Sequence, residues 1–126
     1  MDQVPVMGVA ADDPLMLASV AEARRRWPEF VAEFEQRSPE QMFAMKAEFS
    51  EGETREFMWL QVTAIENDTI YGTLDSDPVH IKRVSAGSRV QVDVQSLNDW
   101  IFTKGKGTRG GFTIEAVRKA GERRRR

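Results

Sequence analysis

A chain of 126 residues, 40% of them apolar and 30% charged, has the composition of a folded soluble protein and the length of one domain. The lack of cysteine excludes disulfides, thiolate metal sites and cysteine nucleophiles, and the single histidine excludes a two-histidine metal site. The net charge of -2 hides an asymmetry, because residues 1–60 carry 12 Asp and Glu against 6 Lys and Arg, whereas residues 61–126 carry 8 against 12.

The first twelve residues lack hydrophobic periodicity and contain Pro5 and Gly8, which predicts a lead-in arm over residues 1–12. The chain shows neither a basic start followed by an apolar core nor an apolar stretch that could cross a bilayer. We therefore expect a cytoplasmic protein, and the lack of cysteine also favours a reducing compartment.

Residues 13–38 have the pattern of a helical region. Asp12 or Asp13 offers a side-chain oxygen to cap the first free amides, and apolar residues then recur at steps of three and four. Pro28 interrupts the pattern, because proline removes one helical hydrogen bond and crowds the preceding turn. This predicts a kink, or two helices that meet near Trp27.

Residues 41–119 are predicted to form a β-rich core, because apolar and polar residues alternate along several segments separated by turn residues. The predicted strands cover residues 41–49, 56–65, 70–74, 89–95 and 97–103, with a brief extended segment at 79–84. Residues 56–65 are apolar on both faces, which predicts a central strand covered on both sides. Gly72 indicates a bulge or a close backbone approach.

The C-terminal part is predicted as a glycine-rich loop at 105–111 and a basic tail at 120–126. Between them, residues 112–119 form either a short strand or a helix capped by Thr113, and we favour a brief strand that leads into a short helix. The whole chain, residues 1–126, is then one α+β domain. Its N-terminal helical region packs on a curled, mostly antiparallel sheet of about five strands.

Six short segments carry a resemblance to a known family. They are Glu56 to Leu60, Gly72-Thr73-Leu74, Asp77-Pro78, Gly87 to Val92, Asn98-Asp99-Trp100 and Gly110-Gly111-Phe112-Thr113. In order and spacing they resemble a bacterial family known only as domain of unknown function number twenty-three fourteen, also called YegJ-like. The resemblance covers about residues 41–113 and implies a compact α+β domain; it supplies no catalytic residues.

Two aromatic strands suggest a candidate binding surface. Asp99 places a carboxylate beside the indole of Trp100, and the surface would require Trp59 and Trp100 to be adjacent and exposed. The alternative is that Trp100 packs within the sheet while Asp99 accepts hydrogen bonds at the end of a strand.

The basic glycine loop offers a second part of this surface through Lys104, Lys106 and Arg109. Glycines allow backbone amides to converge on an anion, but the loop lacks the Gly-Lys-Ser/Thr ending of a phosphate-binding loop. A plain surface loop is the alternative. His80 reads as an exposed histidine, because no nucleophile or carboxylate is spaced to pair with it.

The leading hypothesis is a non-enzymatic protein-binding module without cofactor or metal. Asp68, Asp75 and Asp77 lack the spacing of a calcium loop and read as turn residues. Binding of an anion or of nucleic acid through the basic loop and the C-terminal arginines is the alternative, and an enzyme that uses Asp99 with His80 comes third.

Overall fold

The structure, a computed structural model, describes residues 10–124. In this part of the chain three α-helices span Pro14–Arg25 (α1), Trp27–Glu35 (α2) and Phe112–Arg124 (α3). Six strands span Phe43–Glu51 (β1), Thr54–Glu66 (β2), Thr69–Leu74 (β3), Arg89–Asp93 (β4), Leu97–Lys104 (β5) and Gly107–Gly110 (β6). The predicted α+β class is confirmed. Within residues 10–124 no helix is long and apolar enough to span a membrane.

The N-terminal helices begin and end where their sequence signals lie. The Asp13 side chain accepts the Leu15 N–H at 2.9 Å, which caps the start of α1. α1 ends at Arg25 and α2 begins at Trp27 with Pro28 in its first turn, where the missing proline N–H costs no helical hydrogen bond. The predicted junction of two helices near Trp27 is therefore confirmed.

All six strands form one antiparallel sheet in the order β4-β3-β2-β1-β5-β6. The described sheet is open, with β4 and β6 at its edges. β6 arises from the segment predicted as a loop, because Gly105 takes a φ of 60° and turns the chain back so that Gly107 pairs with Lys104. The prediction of a loop throughout 105–111 is wrong for this reason.

An aromatic core joins α2 to the sheet. Phe30 and Phe34 of α2 are buried, and their rings meet those of Phe43, Trp100 and Phe102 at centroid distances of 5.2 to 6.1 Å. Burial of each large apolar side chain stabilises the fold by about 1.5–3 kcal/mol. This cluster therefore holds the helices against one face of the sheet.

β2 runs through the middle of the sheet and is closely approached by β3. A Cβ atom added to Gly72 would lie 2.2 Å from the Gln61 carbonyl oxygen, and the pairing register shifts between Val62 and Ala64. Both predictions for Gly72 are confirmed, since a bulge and a close backbone approach occur together here. The prediction that this strand is covered on both sides is wrong, because Phe57 is 41% exposed.

The segment 79–84 is not a strand. The Glu56 carboxylate accepts the backbone N–H groups of Val79, His80 and Ile81 at 2.8–3.0 Å, and Glu51 accepts those of the next two residues. Carboxylates of the β1–β2 hairpin thus accept the backbone N–H groups that would otherwise donate to a neighbouring strand. The extended segment predicted here is wrong for this reason.

Residues 112–119 are helical, so the helix alternative for this segment is confirmed and the favoured brief strand is wrong. α3 begins at Phe112 and runs through Arg124, which includes the first residues of the predicted basic tail. The rest of that tail, residues 125 and 126, and residues 1–9 of the predicted arm lie outside the described residues.

Candidate functional site

Trp100, one of the two proposed surface tryptophans, is completely buried. Its indole N–H donates to the Ala23 carbonyl oxygen at 2.9 Å, and its ring stacks on Phe102 at a centroid distance of 5.7 Å. A buried indole requires one acceptor and a packed environment, and Trp100 has both. The residue therefore ties α1 to β5 and presents no surface for a ligand.

Asp99 is also completely buried, and its carboxylate caps α3 from β5. It accepts the backbone N–H groups of Trp100, Phe112 and Thr113 at 2.8–3.0 Å, together with the Thr113 hydroxyl at 2.6 Å. Gly111, which precedes the helix, has no side chain that could do this. Asp99 therefore serves the fold by anchoring the start of α3.

Trp59 lies on the opposite face of the sheet from Trp100. Met45 pairs with Leu60 and Trp100, whereas the next residue, Lys46, pairs with Trp59 and Asp99. Because side chains alternate between faces along a strand, the two tryptophans project in opposite directions. Trp59 is half-buried, and the Lys46 ammonium lies 5.8 Å from its ring centroid. The arrangement that joins both tryptophans on one surface is therefore absent from residues 10–124.

The electrostatic surroundings of Lys46 are unusual for a lysine. Burial lowers its pKa, and the nearby Asp99 carboxylate works in the opposite direction. An additional anionic partner would stabilise the charged form of Lys46, because desolvation penalises that form.

The basic hairpin, which is the β5–β6 turn with Lys104, Lys106 and Arg109, lies at the far end of β5 from Asp99. The Lys104 ammonium pairs with Glu33 at 2.9 Å, and this hydrogen bond lowers the pKa of Glu33. Lys106 and Arg109 are exposed in the turn and in β6. One of the three cations that were proposed to attract an anion is thus already neutralised by α2.

His80 and Asp99 lie in different environments. His80 is exposed in the loop that Glu56 holds, whereas Asp99 is enclosed beneath the start of α3. In the described part of the chain no hydrogen bond joins them, and no group of three His, Asp or Glu residues could hold a metal ion.

The loop that follows β3 should depend on the charge of Glu56. Backbone hydrogen bonds from Val79, Ile81 and His80 lower its pKa from the ordinary 4.5. A depressed pKa means that the stabilisation is present above the unfolded-state value and is lost as the pH falls through the folded-state value. We expect the amide protons of residues 79–81 to shift together, in NMR spectra, only as the pH falls below about 4.5.

The matched control for this titration is Glu53→Gln in the β1–β2 turn, since no hydrogen bond to Glu53 from the loop occurs among residues 10–124. Glu56→Gln should shift the same three amides at neutral pH, whereas Glu53→Gln should leave them in place. Equal effects of the two substitutions would contradict the anchoring role of Glu56.

A groove of about 630 Å³ lies between α1 and the sheet. Its walls include Ala11, Leu17 and Arg24 from the N-terminal segment and α1, and Lys46, Phe57 and Asn98 from the sheet. Leu17 is 56% exposed and Phe57 is 41% exposed, so two large apolar side chains face solvent at one groove. Clustered exposed apolar groups of this kind mark interaction sites.

Asn98 adds a polar group to this apolar groove. The residue is only 9% exposed, and its carboxamide makes no hydrogen bond with any of residues 10–124. Buried polar groups normally find a partner, so an unpaired amide in a groove is suited to a ligand that carries its own donor or acceptor.

The sequence alone does not predict this groove, although it contains one signal for it. Phe57 and Trp59 lie on the same face of β2 as Arg55 and Gln61, so two aromatic residues interrupt a polar face. The contribution of Leu17 and Asn98 could not be seen in this way, because it depends on where α1 docks.

Comparisons with known proteins agree with the family resemblance. Residues 13–126 match the model of the family DUF2314, described as an uncharacterized protein conserved in bacteria. The match is wider than the resemblance and includes the helical region. The chain is 26% identical over 106 residues to the uncharacterized protein YegJ of Escherichia coli (strain K12), covering 84% of this chain and 69% of that protein.

A second relative is a putative ankyrin repeat protein of Neisseria meningitidis serogroup B, 37% identical over 68 residues. The match covers 54% of this chain and only 27% of that protein. No solved structure matches the chain.

Proposed function

The chain belongs to this uncharacterized bacterial family, DUF2314, and from that premise we propose that it is a non-enzymatic protein-binding module whose binding surface is the groove beside α1. One observation carries the proposal: Leu17 of α1 and Phe57 of β2 are both exposed and line the same groove. Apolar surface of this kind gains free energy when a partner removes it from water.

The charges of the groove indicate the chemistry of the partner. The two charged residues in its lining, Arg24 and Lys46, are both basic. A segment with apolar side chains and a carboxylate would be complementary to this surface in apolar character and charge. Trp59, beside Lys46 on the same face of the sheet, extends the surface along β2.

A protein fits these features better than nucleic acid does. The cations of the glycine-rich hairpin are reduced by the ion pair between Lys104 and Glu33, and they lie at the opposite end of β5 from Asn98 in the groove. Nucleic-acid binding needs several free cations along the phosphate backbone. The name of the Neisseria relative adds support, since ankyrin repeats form binding surfaces. The lack of cysteine favours the cytoplasm as the place where the partner is met.

The proposal is tested by placing a photo-crosslinking amino acid at position 57 in cells that contain the native partner. We expect a discrete crosslinked product, and we expect Leu17→Glu to reduce its yield at least about 10-fold, as for a residue at the centre of an interface. The yield is measured by quantitative blotting against the uncrosslinked chain.

The matched control uses Val79, which is 73% exposed and lies outside the groove lining. Val79→Glu removes an exposed apolar side chain of similar kind and should leave the yield unchanged. The joint substitution Lys106→Glu with Arg109→Glu should also leave it unchanged. A product that is lost in this basic-hairpin variant but kept in Leu17→Glu would favour anion or nucleic-acid binding and overturn the proposal.

A further inference from the structure

The groove beside α1 contains two polar side chains whose hydrogen-bonding capacity the described chain leaves unused. Asn98 is only 9% exposed, and its carboxamide makes no hydrogen bond with residues 10–124. In the same part of the chain the Lys46 ammonium makes neither a hydrogen bond nor an ion pair, and it lies 5.8 Å from the ring centroid of Trp59. Because buried polar groups in folded proteins are normally paired, two unpaired groups in one groove indicate a polar ligand.

The pairing of β1 with β5 explains why Asn98 reaches this groove. Lys46 pairs with Asp99, whereas the next residue of β1 pairs with Leu97. Asn98 lies between these two partners and is left out of the register. An extra residue of this kind forms a β-bulge, which redirects side chains out of the regular alternation. Asn98 and Lys46 are therefore neighbours across the two strands, and both line the groove.

The charge of Lys46 is left for a ligand. Asp99 attracts it, but the carboxylate of Asp99 is completely buried and already accepts four hydrogen bonds from β5 and α3. Arg24, the other cation in the lining, is exposed and donates to the Gln95 carbonyl oxygen at 2.6 Å. The lining that the structure describes contains no acidic residue.

The rest of the groove suits the apolar body of a small molecule. Met16, Leu17 and Val20 of α1 line it together with Phe57. Its volume of about 630 Å³ is that of a small-molecule site, which is mostly apolar with a few polar groups that fix the orientation of the ligand. A single partly buried cation favours a ligand with a single negative charge, because a second charge would be desolvated without a partner.

We propose that this groove is a binding site for a small organic monocarboxylate with an apolar body, such as a medium-chain fatty acid. The carboxylate accepts hydrogen bonds from the Lys46 ammonium and the Asn98 carboxamide nitrogen, both of which are donors. The apolar body lies against Leu17 and Phe57. This site shares the groove of the proposed protein-binding surface but requires no protein partner.

Two probes of equal chain length test the role of the carboxylate. Octanoate and octan-1-ol are each titrated into the isotope-labelled full chain, and the backbone amide signals are followed by NMR. Octanoate should shift the amides of Leu17, Phe57 and Asn98 to saturation. The alcohol carries no charge for Lys46 and should bind at least about 10-fold more weakly. Equal affinities, or no saturable shift with octanoate, would overturn the proposal.

Substitutions then assign the polar contacts. Lys46→Met keeps an apolar stem of similar length and should weaken octanoate at least about 10-fold while leaving octan-1-ol unchanged. Asn98→Leu should weaken octanoate in the same direction. Lys106→Met, which removes an exposed cation of the β5–β6 turn, is the matched control and should have no effect. Equal weakening by Lys46→Met and Lys106→Met would reduce the effect to general charge and overturn the site. The comparison of octanoate with octan-1-ol on the unsubstituted chain stands even if a variant does not fold.

The two proposals for this groove fail separately. The titration contains no partner, so a lack of octanoate binding overturns the carboxylate site and leaves the crosslinking prediction at position 57 standing. Saturable octanoate binding without any crosslinked product overturns the protein-binding module and leaves the carboxylate site standing. If both proposals hold, octanoate added to a lysate before irradiation should lower the crosslinking yield of the unsubstituted chain more than that of Lys46→Met.

Discussion

Asp99→Ala should lower the free energy of unfolding by about 4 kcal/mol, because it leaves several buried donors without their acceptor. The carboxylate accepts backbone N–H groups of Trp100, Phe112 and Thr113 and the Thr113 hydroxyl, and both Asp99 and Thr113 are buried. Each unsatisfied buried group costs about 1–3 kcal/mol. Water that enters the small cavity left by the substitution satisfies some of these donors, so the total loss of stability is smaller than the sum of the separate costs. Urea denaturation followed by tryptophan fluorescence measures the loss.

Two controls separate the capping role from a general effect of removing an aspartate. Asp99→Asn keeps one oxygen and should lose about half as much stability, since a carboxamide nitrogen cannot accept a hydrogen bond. Asp93→Ala removes an exposed aspartate that accepts only a local N–H, from Gln95 at 2.7 Å, and should cost less than about 1 kcal/mol. A loss below about 1 kcal/mol for Asp99→Ala would contradict the capping role.

The sequence predicts the alternating strands and the paired helices because these depend on local periodicity. Pro28 is an example, since its effect on the helix is decided within one turn. The start of α3 could not be predicted in this way, because its cap comes from Asp99, 13 residues before Phe112 in sequence. No pattern confined to residues 112–119 contains that information.

The candidate site shows the same limit. The sequence left open whether Asp99 and Trp100 form a binding surface or whether Trp100 packs in the sheet and Asp99 accepts hydrogen bonds. Their partners in the structure, Thr113 and Ala23, belong to α3 and α1 and are remote in sequence. Burial therefore turned a proposed binding pair into structural anchors. The groove itself is formed by Leu17 and Phe57, which are 40 residues apart, so only the docking of α1 on the sheet creates it.

Gly110→Ala should lower the free energy of unfolding by about 3–5 kcal/mol, because an added methyl group collides with Trp100. Its Cβ would lie 2.2 Å from the Trp100 carbonyl oxygen and 2.6 Å from the indole ring, and Gly110 has a φ of 93°. The same carbonyl accepts the Gly111 N–H at 2.7 Å, so the backbone cannot move away without losing a hydrogen bond. Urea denaturation measures this loss as well.

Gly105→Ala isolates the conformational part of this cost. Gly105 also has a positive φ, 60°, but no other part of the described chain comes within 4 Å of the position that an added methyl group would take. It should lose only about 1–2 kcal/mol, the cost of a left-handed backbone for a residue with a side chain. Equal losses of unfolding free energy for Gly110→Ala and Gly105→Ala would show that the contact with Trp100 adds nothing to the cost of the left-handed backbone. A larger loss for Gly110→Ala would show that the close packing of β6 on Trp100, and not only the left-handed backbone of Gly110, requires a glycine at this position before α3.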